Sequence, residues 1–220
     1  IISLANCKNV IIEGFQVNAQ DKSIAVNLSG NLSGSLLKDL EIIRFAETGI
    51  ECNQIRGEPG SKKISLEKIV FSEAGSNSTG INISASTPSP EYILIEKTDF
   101  LKPMNTGVRV NGDLSSTDIR YCRFYQLKKG IEVKNSRPHL KYFSIYNNTF
   151  YEMQENAIAF GGTLQSDSYR NGIRFNLFCK GSDSDVVNIG SGWNFNVFKD
   201  YFRGKFLNNY TTRQKTDSKK

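Results

Sequence analysis

Histidine and tryptophan occur once each in these 220 residues, and methionine twice. The four cysteines, Cys7, Cys52, Cys122 and Cys179, stand far apart. With no C-x-x-C pair they lack zinc spacing. They read as buried thiols, which identify no compartment. The lone histidine, His139, lies in the turn "NSRPHLKYF" without an evident acid or nucleophile partner, and reads as an exposed loop residue. No G-x-S-x-G, H-E-x-x-H or Walker motif is present. No apolar run approaches the roughly 18 residues of a membrane span, and no charged then apolar leader opens the chain, so no membrane partner is expected. Helical periodicity is nearly absent, which excludes helical repeats.

What remains is globular in composition, 38% hydrophobic and 23% charged, and long enough for one large domain or two small ones. The net charge is +6, but the basic residues are scattered except in the closing "TTRQKTDSKK". That segment reads as a solvated tail. With no nucleic-acid module signature, no nucleic-acid partner is expected.

A repeat organises the chain. Phe15, Phe45, Phe71, Phe100, Phe124, Phe150, Phe178 and Phe198 recur at intervals of 20 to 30 residues. Five positions before each stands another large apolar residue: Val10, Leu40, Leu66, Ile95, Ile119, Ile145, Ile173 and Trp193. A second stretch follows most of these phenylalanines in the pattern G-apolar-x-apolar: "GIEC", "GINI", "GVRV" and "GIEV", degenerating to "AIAF" and "VVNI". Period-2 alternation makes these short strands. A unit of about 27 residues cannot bury its own apolar face, whereas stacked units can. The expected fold is all-β: a right-handed parallel β-helix of about eight coils over residues 1–204, followed by cap residues and a polar basic tail at 205–220. The opening "IISL" already alternates, so earlier coils or a cap are expected before Ile1.

Asparagine is a poor strand former, yet Asn148, Asn176 and Asn196 sit two residues before the repeating phenylalanine. A sharp turn between strands leaves backbone groups unpaired, and an inward amide satisfies them. Earlier coils place Cys122, Thr98, Ile69 and Ile43 at this point, so the asparagine ladder is confined to the C-terminal part.

"IYNNTF" followed by the "AIAF" strand resembles the right-handed repeat of pectate-lyase-like proteins, through about residue 200. "PMNTGVRV", "DIRYCRF" and "IYNNTFYEM" more narrowly resemble β-helix modules of large multidomain bacterial proteins, some linked to Ser/Thr protein kinase domains. These 220 residues contain no kinase motif.

The resemblance implies that a site would lie on the G-apolar-x-apolar strand, whose central residue points outward. That row reads Ala25, Glu51, Asn82, Arg109, Glu132, Ala159 and Asn188. Glu51 and Glu132 are three rungs apart, about 14 Å at the rung spacing of a parallel sheet, too far for a glycosidase pair. Arg109 beside Glu132 reads as a cross-strand ion pair. The resembling calcium-dependent lyases cluster aspartates here, and this row has none. Asp183 to Asp185 ("DSD") reads as an ordinary turn. Tyr92, Tyr121, Tyr125, Tyr142, Tyr146 and Tyr151 crowd the middle coils, as sheet filler or as platforms for sugar rings.

The expected function is a non-catalytic module of a larger protein that binds carbohydrate or acts as a scaffold. Its candidate binding face is Glu51, Asn82, Arg109 and Glu132. No catalytic residue, metal ligand or cofactor is assigned. The partners are a polysaccharide and preceding domains of the same chain. The alternatives are a polysaccharide lyase or glycoside hydrolase, or an accessory C-terminal module of a bacterial Ser/Thr kinase-related protein.

Overall fold

The computed structural model describes residues 1–56, 62–85, 92–112, 114–134, 140–161, 171–179, 187–189, 206–207 and 210–212. Among them there is no helix, and every strand pairing is parallel. The strands stack as a β-solenoid. One sheet holds eight strands in chain order: Ile11–Glu13, Leu36–Lys38, Ile64–Glu67, Ile93–Glu96, Thr117–Arg120, Ser144–Tyr146, Gly172–Arg174 and Phe206–Leu207. A second, bent sheet takes the other two strands of each turn. Its phenylalanine side runs through Val70–Ser72, Asp99–Leu101, Arg123–Tyr125, Thr149–Tyr151 and Leu177–Cys179. Its other side runs through Thr79–Ala85, Thr106–Gly112, Lys129–Val133, Asn156–Phe160 and Val187–Ile189. In the first two turns the two sides fuse into the long bent strands Gln16–Ser29 and Glu41–Asn53. The coil count differs slightly from the expected eight, because the last turn contributes only Phe206–Leu207 and Tyr210–Thr212 among the described residues.

The core is a ladder of like side chains. Phe71, Phe100, Phe124, Phe150 and Phe178 stack with ring centroids 4.7–5.2 Å apart. Such pairs add to the free energy of burying the rings. The glycine of G-apolar-x-apolar makes room for that stack. A Cβ on Gly49, Gly80, Gly107 or Gly130 would lie 2.6 Å from the ring of Phe71, Phe100, Phe124 or Phe150 respectively.

The paired register corrects the outer members of the repeat. Phe71 pairs with Ile42, and Ile42 with Val17. The neighbouring row runs Ile12, Leu37, Leu66, Ile95, Ile119, Ile145, Ile173 and Phe206. The five-residue spacing therefore holds, from Ile12–Val17 to Phe206–Thr211, but in the first two turns its anchors are not phenylalanine. Phe45 enters the core from the bend of its strand, edge-on to Phe71 at 6.1 Å. Leu40 is buried at a corner, and Val10 precedes its strand. Phe15 is 44% exposed. Trp193, Phe198 and Asn196 lie outside the described residues.

Each corner between the first sheet and the phenylalanine strands is made by one residue of left-handed backbone: Gly14, Asp39, Lys68, Lys97, Tyr121, Asn147 and Phe175, with φ from 51° to 80°. The next residue points inward in all but the first turn. Asn148 and Asn176 occupy that position and are buried, as expected. In the corrected register Leu40, not Ile43, is their counterpart in the second turn.

Candidate functional site

The outward row of the second sheet is continuous. Glu51, Asn82, Arg109, Glu132, Ala159 and Asn188 are successive partners. One member is corrected. Asn27, not Ala25, pairs with Glu51, and Ala25 is buried. The bent strand Gln16–Ser29 carries register shifts between Asn18 and Ile24, and beyond them Val26 pairs with Ile50, so Ala25 falls opposite Gly49, the position that faces the phenylalanine stack.

The row divides into two networks. In the first, the Asn82 side-chain amide donates to both Glu51 carboxylate oxygens, each at 2.8 Å, and Ser84 Oγ donates to Glu51 Oε1 at 3.2 Å. Asn111 Nδ2 donates to Asn82 Oδ1 at 2.8 Å. In the second, Arg109 Nε donates to Glu132 Oε2 at 2.9 Å, and Lys129 Nζ to Glu132 Oε1 at 2.6 Å. Burial of Glu132 opposes ionisation, but the bonds from Lys129 and Arg109 outweigh it and hold the carboxyl below its ordinary range. The expected Arg109–Glu132 pair is present, and Glu51 and Glu132 stand three rungs apart.

Three of these participants were outside the sequence reading. Ser84 and Asn111 lie two residues beyond Asn82 and Arg109, so strand alternation puts them on the same face; that signal was available. Lys129 opens the strand Lys129–Val133 and reaches Glu132 three residues on, an odd spacing that alternation does not put on one face.

The other outer faces carry the aromatics. The Tyr92 hydroxyl donates to Asp118 Oδ2. Burial first, and that bond second, push the Tyr92 hydroxyl pKa well above the usual tyrosine value. Tyr125 and Tyr151 stack at 4.9 Å. Tyr146 lies between Arg120 and Arg174, whose guanidinium carbons are 6.0 and 5.4 Å from its ring centroid. Arg120 Nη1 also donates to the Tyr146 hydroxyl at 2.8 Å, while its Nε and Nη2 hold Glu96 Oε2 at 3.0 and 2.7 Å. Tyr121 meets Tyr146 edge-on at 6.4 Å.

No three His, Cys, Asp or Glu side chains are grouped as metal ligands among the described residues. His139 and Asp183 to Asp185 lie outside them. Cys52 and Cys122 are buried, and burial pushes both thiols up to about 12.

No family model and no curated protein matches the chain. Among solved structures, a trypsin-treated variant of QnrB1, a plasmid-mediated fluoroquinolone resistance protein, aligns over 88% of this chain and 95% of its own. Identity is 11% and the TM-score 0.19, a likeness too slight to bear on function. The structure shows a parallel β-solenoid, and the resemblance to pectate-lyase-like repeats rests on the sequence motifs alone.

Proposed function

We propose that this β-solenoid is a non-catalytic module of a larger protein and that it binds carbohydrate. One observation carries the non-catalytic part. Each glutamate of the outward row is already committed, Glu51 to the Asn82 amide and Ser84 hydroxyl, Glu132 to Arg109 and Lys129. A general acid needs a carboxyl with a raised pKa, whereas Glu132 is held ionised. The rigid stack, with rows of polar and aromatic side chains at fixed rung spacing, favours recognition of an extended chain by a preorganised surface.

A glycan-array screen of the 220-residue chain, paired with an assay for unsaturated uronate products, tests the reading. Saccharide binding without product is expected. Turnover of pectate, alginate or a glycosaminoglycan that Arg109→Ala abolishes would establish the lyase alternative instead.

A further inference from the structure

Two aromatics stand where neither folding nor backbone preference explains them. Tyr121 and Phe175 occupy the one-residue corners of their turns with φ of 56°. Left-handed backbone favours glycine and asparagine and is an outlier for bulky side chains. The other corners carry Gly14, Asp39 and Asn147 or the flexible, solvated Lys68 and Lys97, and none of them places an aromatic ring there. Nor does burial compensate, because Tyr121 is 50% and Phe175 47% exposed. Strained residues of this kind concentrate at binding sites.

The two rings share one surface. Their flanking strands put Arg120, Tyr146 and Arg174 in register, so Tyr121, Asn147 and Phe175 are successive corners. Tyr121 and Phe175 are therefore about 10 Å apart along the stack, two rungs. Beside them Arg174 lies over Tyr146, which orients its guanidinium. Among the described residues no carboxylate pairs with Arg174 and no acceptor takes its side-chain N–H groups. Arg120, two coils back, is by contrast satisfied by Glu96 and Tyr146. An oriented guanidinium with open donors matches a carboxylate or sulfate, and ring faces two rungs apart match the apolar faces of sugar rings.

We propose that this corner row is a binding surface for an acidic polysaccharide, with Tyr121 and Phe175 stacking on sugar rings and Arg174 contacting a uronate or sulfate. This rests on the carbohydrate reading above but moves the site away from the Glu51 to Glu132 row.

Isothermal titration calorimetry of the 220-residue chain with an oligogalacturonate and a heparin-derived oligosaccharide tests it, with a neutral cello-oligosaccharide and oligo(dT) alongside. At least one acidic saccharide is expected to bind. The double variant Tyr121→Asn/Phe175→Asn should weaken it at least tenfold without lowering Tm, because asparagine suits the left-handed corner. Arg174→Gln should weaken acidic saccharides at least tenfold. Full binding by the double variant, with loss in Asn82→Ala, would return the site to the Glu51 row and leave the carbohydrate reading intact. Neutral and acidic saccharides binding equally would overturn the role of Arg174. Tighter binding of oligo(dT) would overturn the ligand class, and no saccharide binding by the unaltered chain would overturn both readings.

Discussion

The backbone N–H of Asn148 donates to the side-chain oxygen of Asn176, one coil on, at 3.0 Å. The Asn148 side chain repeats this one coil back, accepting the N–H of Cys122 at 2.9 Å and donating to the Ile119 carbonyl at 2.9 Å. Asn176 donates to the Ile145 carbonyl at 3.0 Å. Each asparagine thus satisfies a donor and an acceptor that the corner removes from the strand ladder.

Asn148→Ala should leave the Cys122 N–H and the Ile119 carbonyl unpaired in the interior, costing about 1 to 3 kcal/mol. Extending the ladder should do the reverse. Cys122 occupies the same position, its Sγ 3.7 Å from the Ile95 carbonyl, where an asparagine amide would bond. Cys122→Asn is expected to raise stability by about 1 kcal/mol. Urea denaturation of both variants checks this, and a destabilised Cys122→Asn would show that the corner there is shaped differently.

The stack of phenylalanines is tested by contrast. Phe124→Ala should cost about 3 to 5 kcal/mol, since the ring is wholly buried between two others. Phe15→Ala should stay within about 0.5 kcal/mol, as surface changes do. Gly107→Ala should cost about 1 to 3 kcal/mol by overpacking, because its Cβ would meet the Phe124 ring at 2.6 Å and the Gly130 carbonyl oxygen at 2.7 Å. Thermal or urea melts of the three variants give the ranking.

The sequence carried the coil architecture because each turn repeats the same inward positions, so alternation and five-residue spacing survive wherever the turns are short. It misplaced Phe15 and Phe45 because composition alone cannot distinguish an apolar residue on a strand from one at a bend. In the first two turns a phenylalanine happens to lie within three residues of the true anchor, Val17 or Ile42. Ala25 failed for a related reason: past the register shifts it stands opposite Gly49, two residues before the outward position that Asn27 takes. Glu51, Asn82, Arg109 and Glu132 were legible because their strands are regular. Asn171 was missed. It is buried and bonds the Phe143 N–H and the Leu140 carbonyl, each at 2.9 Å. It serves a different corner, which no repeat in the sequence marks.

Thiol chemistry should follow burial. Cys52 and Cys122 are pushed up to about 12 by desolvation, with the Glu51 charge adding to it at Cys52, whereas Cys7 and Cys179 are half-buried. The thiolate is the reactive form. At pH 8 a thiol reagent should therefore modify Cys7 and Cys179 first, and Cys52 and Cys122 only on unfolding. Peptide mapping after timed alkylation reads the order.

Glu132 gives a pH signature. Its folded carboxyl is held below the ordinary value of 4.5, with burial opposed and outweighed by Lys129 and Arg109. A group with a depressed folded pKa contributes stability above its unfolded pKa and loses it as pH falls through the folded one. Glu132→Gln removes that contribution and leaves Arg109 and Lys129 facing a neutral amide. Both cations keep some solvent, with side chains 22% and 27% exposed, so the loss at pH 7 should be about 1 to 3 kcal/mol, the range of charge-assisted bonds. The gap between the unaltered chain and Glu132→Gln should then narrow as pH drops below 4.5 and close once Glu132 is protonated in both states. Urea titrations of both proteins from pH 7 to 3 measure it. A gap that stays constant over that range would mean that Glu132 acts through packing and that the Arg109 and Lys129 bonds contribute nothing to stability.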